Sequence, residues 1–123
     1  MTIHEAIEKI DSLNPNQYSE EVKLTWLSNL DAIIYNDVVM RHHPLPENPF
    51  VPYTMDDIDN QLLVEAPYDE LYIAYINMKI DEANQETARY NNSVAIFDAR
   101  YRDFTKYYNR TFKPVNEAKF RLW

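Results

Sequence analysis

Apolar side chains recur at helical spacing along the stretch from Ala66 to Arg110. Its first half carries one apolar stripe, formed by Leu71, Tyr72, Tyr75, Ile76 and Ile80. Its second half carries apolar residues three and four positions apart, at Val94, Phe97, Tyr101, Phe104 and Tyr108. Pro67 suits a first helical position, and Asp69 and Glu70 would then place negative charge in the first turn. The whole stretch is therefore predicted to be helical.

This helical stretch is predicted to be folded in two. A single helix would be about 65 Å long at ~1.5 Å per residue, which is long for a chain of 123 residues. Asn84-Gln85 is the preferred break, because asparagine tolerates a left-handed backbone better than most residues, and Asn91-Asn92 is the second candidate. We therefore expect an antiparallel hairpin of two long helices.

Two further helices are predicted before this stretch. The first spans about Ile3 to Leu13, starts with the capping box of Thr2 and Glu5, and has one apolar face. The second is capped by Ser19 and is expected to end near Met40 or Arg41. Its buried stripe is predicted to contain Val22, Trp26, Leu30, Ile33, Ile34 and Val38. The fold class is thus all-α, a small bundle of about four helices.

Residues 42–65 form a proline-rich loop, and residues 111–123 form a basic, aromatic tail. In the loop, Leu62 and Leu63 are expected in the core, whereas Phe50 and Tyr53 are expected to contact a partner. The tail alternates bulky and basic groups, which is typical of an extended segment on another surface. Its candidate contact residues are Phe112, Phe120 and Trp123. In the alternative interpretation, Trp123 fills a place in its own chain.

Composition narrows the classes of function. The chain has no glycine, which disfavours glycine-rich phosphate loops, and no cysteine, which excludes disulfides and cysteine-based zinc sites. No run of about 18 apolar residues indicates a membrane span, and the N-terminal residues do not resemble a secretion signal. A length of 123 residues indicates a single domain.

Charge is divided unevenly along the chain. Residues 1–98 hold 5 basic and 18 acidic side chains, a net charge of −13, and residues 99–123 hold 7 basic and 2 acidic, a net charge of +5. The two sums give the overall charge of −8. An acidic body repels nucleic acid, and the basic end either folds back on its own body or meets the acidic face of another copy. The basic candidates for such a contact are Arg100, Arg102, Lys106 and Arg110.

No catalytic, cofactor or metal site is predicted. Adjacent His42 and His43 have diverging side chains and no third ligand at a suitable spacing, and the acidic run Asp56-Asp57-Ile58-Asp59 lacks the glycine and distal glutamate of a calcium loop. No serine has a nucleophile motif around it. The chain is therefore predicted not to be an enzyme.

The ten tyrosines are more than one small core can bury. Tyrosine is enriched where proteins meet. Tyr68, Tyr90 and Tyr107 point away from the predicted helical seam and are candidates for contacts between molecules. In the alternative interpretation, they are ordinary half-buried surface residues.

Three segments together carry a resemblance to a known family. They are Tyr18-Ser19-Glu20-Glu21-x-Lys23-x-x-Trp26-Leu27-x-x-Leu30-Asp31, Leu63-Val64-x-Ala66-Pro67-Tyr68-Asp69-Glu70-Leu71-Tyr72, and the region from Tyr90-Asn91-Asn92-Ser93 to Tyr107-Tyr108-Asn109-Arg110. They resemble head–tail connector proteins of tailed phages and prophages of Gram-positive bacteria. Relatives often carry glycine where this chain has Gln85, which favours a turn there.

The resemblance implies a head-completion adaptor, a virion structural protein. Such small helical proteins form an oligomeric ring of about twelve copies below the portal protein. The ring prolongs the DNA channel without sequence-specific contact with DNA and carries the next neck protein, the head-closure protein. The resemblance therefore implies assembly in the host cytoplasm and a final location in the virion neck. The alternative function is an acidic regulatory protein or DNA mimic that blocks a nucleic-acid-binding partner.

Overall fold

A computed structural model describes residues 1–115. Four α-helices make up most of this region: α1 (Ile3–Leu13), α2 (Glu20–Asp37), α3 (Glu70–Ala83) and α4 (Thr87–Thr111). Two short 3₁₀ turns lie at Val39–Arg41 and Met55–Asp57. Within residues 1–115 the β-structure is limited to two isolated bridges, Thr2 with Gln61 and His42 with Pro114. The predicted all-α class is confirmed.

α1 has the predicted bounds and the predicted cap. The Thr2 hydroxyl accepts a hydrogen bond from the Glu5 backbone N–H at 3.0 Å, and the Thr2 backbone N–H donates to the Glu5 carboxylate at 2.9 Å. Hydrogen bonds to the Glu5 carboxylate from the Thr2 backbone N–H and side chain hold the pKa of Glu5 below its usual value. One face of α1 is buried through Ile3, Ala6, Ile7 and Ile10.

α2 buries a different face from the one predicted. Its buried residues are Lys23, Leu24, Leu27, Ser28, Leu30, Asp31 and Ile34. Val22 and Ile33 are exposed, so the predicted stripe is wrong at these two positions, whereas half-buried Trp26 packs against the core. The other three predicted residues, Leu30, Ile34 and Val38, are buried as expected. The physical reason is that three polar residues find partners inside the domain, which turns the helix toward them. The helix also ends earlier than expected, at Asp37, and is followed by a 3₁₀ turn.

The start of α3 also differs from the prediction. Pro67 does not open the helix, which begins at Glu70 after Asp69 as the cap residue. The residues before it form turns, in which the Tyr68 N–H donates to the Glu65 carbonyl at 3.0 Å. These turns occupy the positions that the sequence pattern had placed in the first turn of the helix.

α3 and α4 meet at the preferred break and pack along their lengths. The backbone turns at Asn84, Gln85 and Glu86, and Gln85 has a positive φ of 59°. The Ser93 hydroxyl donates to the Asp81 carboxylate near this turn, Tyr75 packs on Phe97 further along, and Tyr68 stacks on Tyr107 at the far end. The predicted α4 seam is half-buried, apart from Phe104, which is fully buried.

The segment from 42 to 65 is held by backbone hydrogen bonds to the N-terminus. The Ile3 and His4 N–H groups donate to the carbonyls of Asn60 and Ile58, at 3.1 and 2.8 Å. The Leu62 N–H donates to the Met1 carbonyl at 3.0 Å. Leu62 is buried as predicted, but the Leu63 side chain is 40% exposed, so its predicted place in the core is wrong.

The beginning of the C-terminal tail lies on its own chain. The His43 N–H donates to the Lys113 carbonyl at 2.8 Å, and the Val115 N–H donates to the Arg41 carbonyl at 3.0 Å. Two short extended pieces, 41–43 and 113–115, thus pair side by side. Phe120 and Trp123, both candidates from the sequence, lie outside the described residues.

Candidate assembly surface

α4 carries four exposed basic side chains, of which those at 102, 106 and 110 lie within about 80° of each other around the helix and that at 100 lies on another side. Arg100, Arg102, Lys106 and Arg110 are all exposed. Within residues 1–115, none of the four has a carboxylate within 4.0 Å. The structure therefore brings the four predicted basic residues onto one helix. We call these four residues the basic edge.

Four other basic residues of the described region are paired in the chain. Lys9 contacts Glu70 at 3.1 Å, and Lys23 contacts Asp11 at 2.5 Å. Lys79 with Glu82 and Arg89 with Glu86 form pairs within one helical turn, each at 3.0 Å. The basic edge differs from these pairs because it carries positive charge that no described carboxylate neutralises.

Tyr68 and Tyr107 hold each other in place. Their rings stack at a centroid distance of 4.5 Å and an interplanar angle of 20°. Both residues are half-buried, so part of the pair is accessible to solvent. The prediction that they contact another molecule stays a prediction, and the pair is rigid enough to serve as such a contact.

Phe50 and Tyr53 lie against the domain itself. Phe50 packs between Tyr35 and Tyr53, at centroid distances of 5.8 and 5.3 Å. The Tyr53 hydroxyl donates to the buried Asp31 carboxylate at 2.5 Å. Their predicted contact with a partner stays a prediction, but the polar end of Tyr53 is already used inside the chain.

Asp31 is the polar centre of the bundle, and the sequence analysis gave it no role. Its carboxylate is fully buried and accepts hydrogen bonds from the Tyr53 hydroxyl, the Tyr72 hydroxyl at 2.6 Å and the Leu63 backbone N–H at 3.1 Å. The Tyr72 hydroxyl in turn accepts a bond from the Val64 N–H at 2.8 Å. One side chain of α2 thus fixes α3 and the end of the 42–65 segment.

Burial dominates the proton affinities in this network. It raises the pKa of Asp31 above its usual value, against the opposing effect of the three donated hydrogen bonds. Burial also raises the pKa values of Tyr53 and Tyr72, and the nearby Asp31 charge adds to the shift. Both hydroxyls therefore keep their protons and act as donors. The network has a structural role, because each polar group in it forms a hydrogen bond with another group of the chain.

The remaining aromatic candidates lie at the two ends of α4. Tyr90 is half-buried near the turn, and Phe112 packs on Tyr108 at a centroid distance of 4.4 Å. His42 is buried beside the same Tyr108, and its two ring nitrogens lie 2.7 Å from the Val38 carbonyl and 2.6 Å from the Asn109 side-chain oxygen. His42 thus packs inside the chain, whereas His43 is exposed.

Two surface features were missed by the sequence analysis. On α2, Val22 and Ile33 are 39% and 47% exposed, with half-buried Trp26 between them. We call these three residues the α2 stripe. On α4, three alanines at positions 88, 95 and 99 are exposed and lie next to the basic edge. The α2 stripe did have a signal, because its apolar spacing was recognised but was assigned to the core of the monomer.

A polar groove lies where α3 and α4 meet the end of α1. It has a volume of about 290 Å³ and is lined by polar residues that include Asn14, Asn77, Asp81 and Arg89. Asn14 donates to Asn77 at 3.0 Å, and Asp81 accepts from Ser93, so these groups are already satisfied within the chain. No described helix combines the length and apolar character needed to cross a membrane.

No protein-family model, curated protein or solved structure matches the chain.

Proposed function

We propose that this chain is a head–tail connector of a tailed phage or prophage, which forms a ring below the portal, extends the DNA channel and docks the next neck protein. The single observation that carries the proposal is the basic edge on α4, which has no described carboxylate partner while the remainder of the chain is strongly acidic. Opposite charges on different faces of one molecule favour repeated head-to-tail contacts between copies.

The geometry of α3 and α4 supports this assignment. We infer that they form the long antiparallel hairpin expected from the sequence, since their contacts run in opposite order along the two helices. α4 has 25 residues and would be about 37 Å long at ~1.5 Å per residue. A rod of this length presents an extended edge to a neighbouring copy.

The proline-rich segment 42–65 fits the same proposal. Asp31 and the N-terminus hold it against the bundle, and the Val51 side chain on it is 70% exposed. A rigidly held segment with an exposed apolar side chain is suited to contact with a portal or head-closure protein. The acidic surface of residues 1–98 is suited to a channel wall along which DNA passes without binding.

The proposal is tested by reversing the charge of Arg100, Arg102 and Lys106 to glutamate in the phage gene. Three such changes lower the net charge by six, from −8 to −14. We expect particles that lack the chain at the portal and fail to join tails, because like charges would then face each other. Electron microscopy of the particles and counts of infectious particles measure the result.

A matched control reverses Lys9, Lys79 and Arg89, which changes the net charge equally but affects residues already paired within the chain. Exposed pairs contribute only about 0.2–1 kcal/mol each, so the control protein should fold and assemble. Circular dichroism checks that both triple variants are helical. Normal infectious particles from the basic-edge variant would refute the connector proposal.

The alternative is an acidic regulatory protein or DNA mimic. The net charge of −13 on residues 1–98 favours it, because a dense acidic surface competes with DNA for a basic partner. The position of the gene discriminates between the two functions. A location between portal and tail genes supports the connector, whereas a location among early regulatory genes supports the mimic.

A further inference from the structure

We propose that the α2 stripe is the docking site for the alanine face of α4 in a second copy of this chain. The proposal rests on the ring function proposed above and deepens it by naming both sides of the interface. Val22, Trp26 and Ile33 fall within about 40° of each other around α2, at ~100° per residue. They form an apolar stripe that the monomer leaves partly exposed and that exposed Asn29 interrupts between Trp26 and Ile33.

The partner surface contains three alanines, with exposed Asn92 on the same face between the first two. Ala88, Ala95 and Ala99 are exposed and also fall within about 40° of each other around α4. Lys106 continues this face toward the C-terminus, with Arg102 beside it. Small side chains allow a second helix to approach closely, and large side chains of that helix then pack into the space above them.

The spacings of the two surfaces match in one direction only. The α2 stripe has intervals of four and seven residues, from Val22 to Trp26 and from Trp26 to Ile33. The alanine face has intervals of seven and four, from position 88 to 95 and from 95 to 99. Each surface is about 16 Å long at ~1.5 Å per residue. An antiparallel arrangement therefore places each large α2 side chain opposite one alanine.

Charge selects the same arrangement. α2 exposes Glu20, Glu21 and Asp37, and its one basic residue, Lys23, is buried against Asp11. With Val22 opposite Ala99, Glu21 and Arg102 fall on the same flank of the interface at ~100° per residue, whereas Glu20 faces His4 of its own chain. A parallel arrangement would instead bring Asp37 opposite Asp103. The acidic start of α2 and the basic edge therefore identify a second copy as the occupant.

The interface is heterologous, because each copy contributes α2 on one side and α4 on the other. Repetition of such a contact gives a closed ring when the rotation between copies closes, and an open filament when it does not. The α2 residues that are exposed in the monomer become buried in this assembly. In this assembly α2 has two buried faces, one in the core of its own chain and one between copies, which explains its apolar spacing.

Site-directed cross-linking tests the proposed register. The chain has no cysteine, so single cysteines can be placed without background. Copies carrying Val22→Cys are mixed with copies carrying Ala99→Cys, and copies carrying Ile33→Cys with copies carrying Ala88→Cys, and a short bifunctional thiol reagent is added. Because each copy has one cysteine, any product on a denaturing gel joins two molecules.

A mismatched pair, Val22→Cys with Ala88→Cys, is the register control, since the proposed arrangement separates these positions by about 16 Å. We expect at least tenfold more cross-linked dimer from each matched pair than from the control. Adding Ala95→Glu to the Ala99→Cys copy should lower the yield about tenfold. Adding Ala83→Glu, at an exposed position on α3, introduces the same charge and should leave the yield unchanged.

Equal yields from matched and mismatched pairs would overturn the proposal, as would no product from chains whose circular dichroism is helical. Cross-linked product would be absent if a different partner protein, or residues 116–123 of the same chain, covered the α2 stripe instead. Failure here is distinguishable from failure of the ring function. If the charge-reversed triple still blocks particle assembly while matched pairs do not cross-link, the connector proposal stands and this interface is wrong.

Discussion

Replacing Asp31 by alanine should destabilise the fold more than any other change of an acidic residue in the described region. The change leaves three donors without their acceptor, namely the hydroxyls of Tyr53 and Tyr72 and the Leu63 N–H. Tyr72 is fully buried, so its hydroxyl cannot find water, whereas Tyr53 is half-buried and Leu63 is exposed. An unsatisfied buried donor costs about 1–3 kcal/mol.

The magnitude follows from these unequal exposures. We expect a loss of about 2–4 kcal/mol in the free energy of unfolding, with most of it from Tyr72 and the remainder from the two hydrated donors. The loss stays below the sum for three fully buried donors because the change also removes a buried carboxylate whose ionised form is disfavoured by burial. Total stabilities are about 5–15 kcal/mol, so the effect is large.

Urea unfolding followed by circular dichroism measures this loss. The matched control is Asp37→Ala, which removes an exposed carboxylate from the last residue of the same helix and should change stability by less than about 0.5 kcal/mol. A loss below about 1 kcal/mol for Asp31→Ala would refute the reasoning, because the buried Tyr72 hydroxyl would then have found another acceptor.

The other predictions concern pH, the turn and the first cap. Because burial raises the pKa of Asp31 in the folded state, its relative contribution to stability is greatest below its ordinary pKa and is lost as pH rises through the raised value. The free energy of unfolding of the wild type minus that of Asp31→Asn, measured with urea, should therefore be larger at about pH 4 than at about pH 7. A difference that does not change with pH would contradict the raised pKa. Gln85→Gly should stabilise the chain by about 1 kcal/mol, because φ is positive there, and an unchanged thermal midpoint would contradict this. Thr2→Ala should cost about 1 kcal/mol through loss of the hydroxyl bond to the Glu5 N–H, whereas Thr2→Ser should restore it in the same melts.

Local signals in the sequence were sufficient for the ends of α1 and for the turn before α4. Thr2 and Glu5 bond to each other across three residues. The turn lies at Asn84-Gln85 as predicted, but the left-handed residue is Gln85 and not Asn84, whose φ is −81°. Such interactions depend on residues close together in the chain. Their outcome could therefore be predicted without knowledge of the tertiary structure.

The buried face of α2 could not be predicted in the same way. Its orientation depends on Lys23 and Asp31, whose partners include Asp11, Tyr53 and Leu63. Some of these partners are more than 20 residues away, and a polar residue gives no sign in the sequence that it will be buried beside them. Apolar periodicity alone predicts burial in the core of the monomer, and Val22 and Ile33 were therefore expected in that core.

The basic edge was recognisable from composition, but its accessibility was not. The sequence shows that positive charge is concentrated after residue 98, and two outcomes were then equally consistent with it. In one, the basic end neutralises its own acidic body, and in the other it remains available. Within residues 1–115, Arg100, Arg102 and Lys106 form no ion pair within 4.0 Å, and this observation supports the proposal that they remain available to another molecule.

The proposed interface combines charged and apolar contacts, and salt separates the two. At 0.1 M ionic strength charges are screened beyond about 10 Å, and at 1 M beyond about 3 Å. One exposed pair, Glu21 with Arg102, would contribute about 0.2–1 kcal/mol, which is roughly a 1.4- to 5-fold change in affinity. Salt should not weaken the packing of Val22, Trp26 and Ile33 on alanine, because apolar burial does not depend on charge.

Cross-linking of the matched cysteine pairs should therefore decline by about that factor between low and high salt and then level off, rather than disappear. Sedimentation of the unmodified chain over the same salt range gives an independent measure. Complete loss at high salt would mean that charge alone joins the copies and that the α2 stripe is not buried between them. No change at all would mean that Glu21 does not face Arg102, and the antiparallel register would then have to be abandoned.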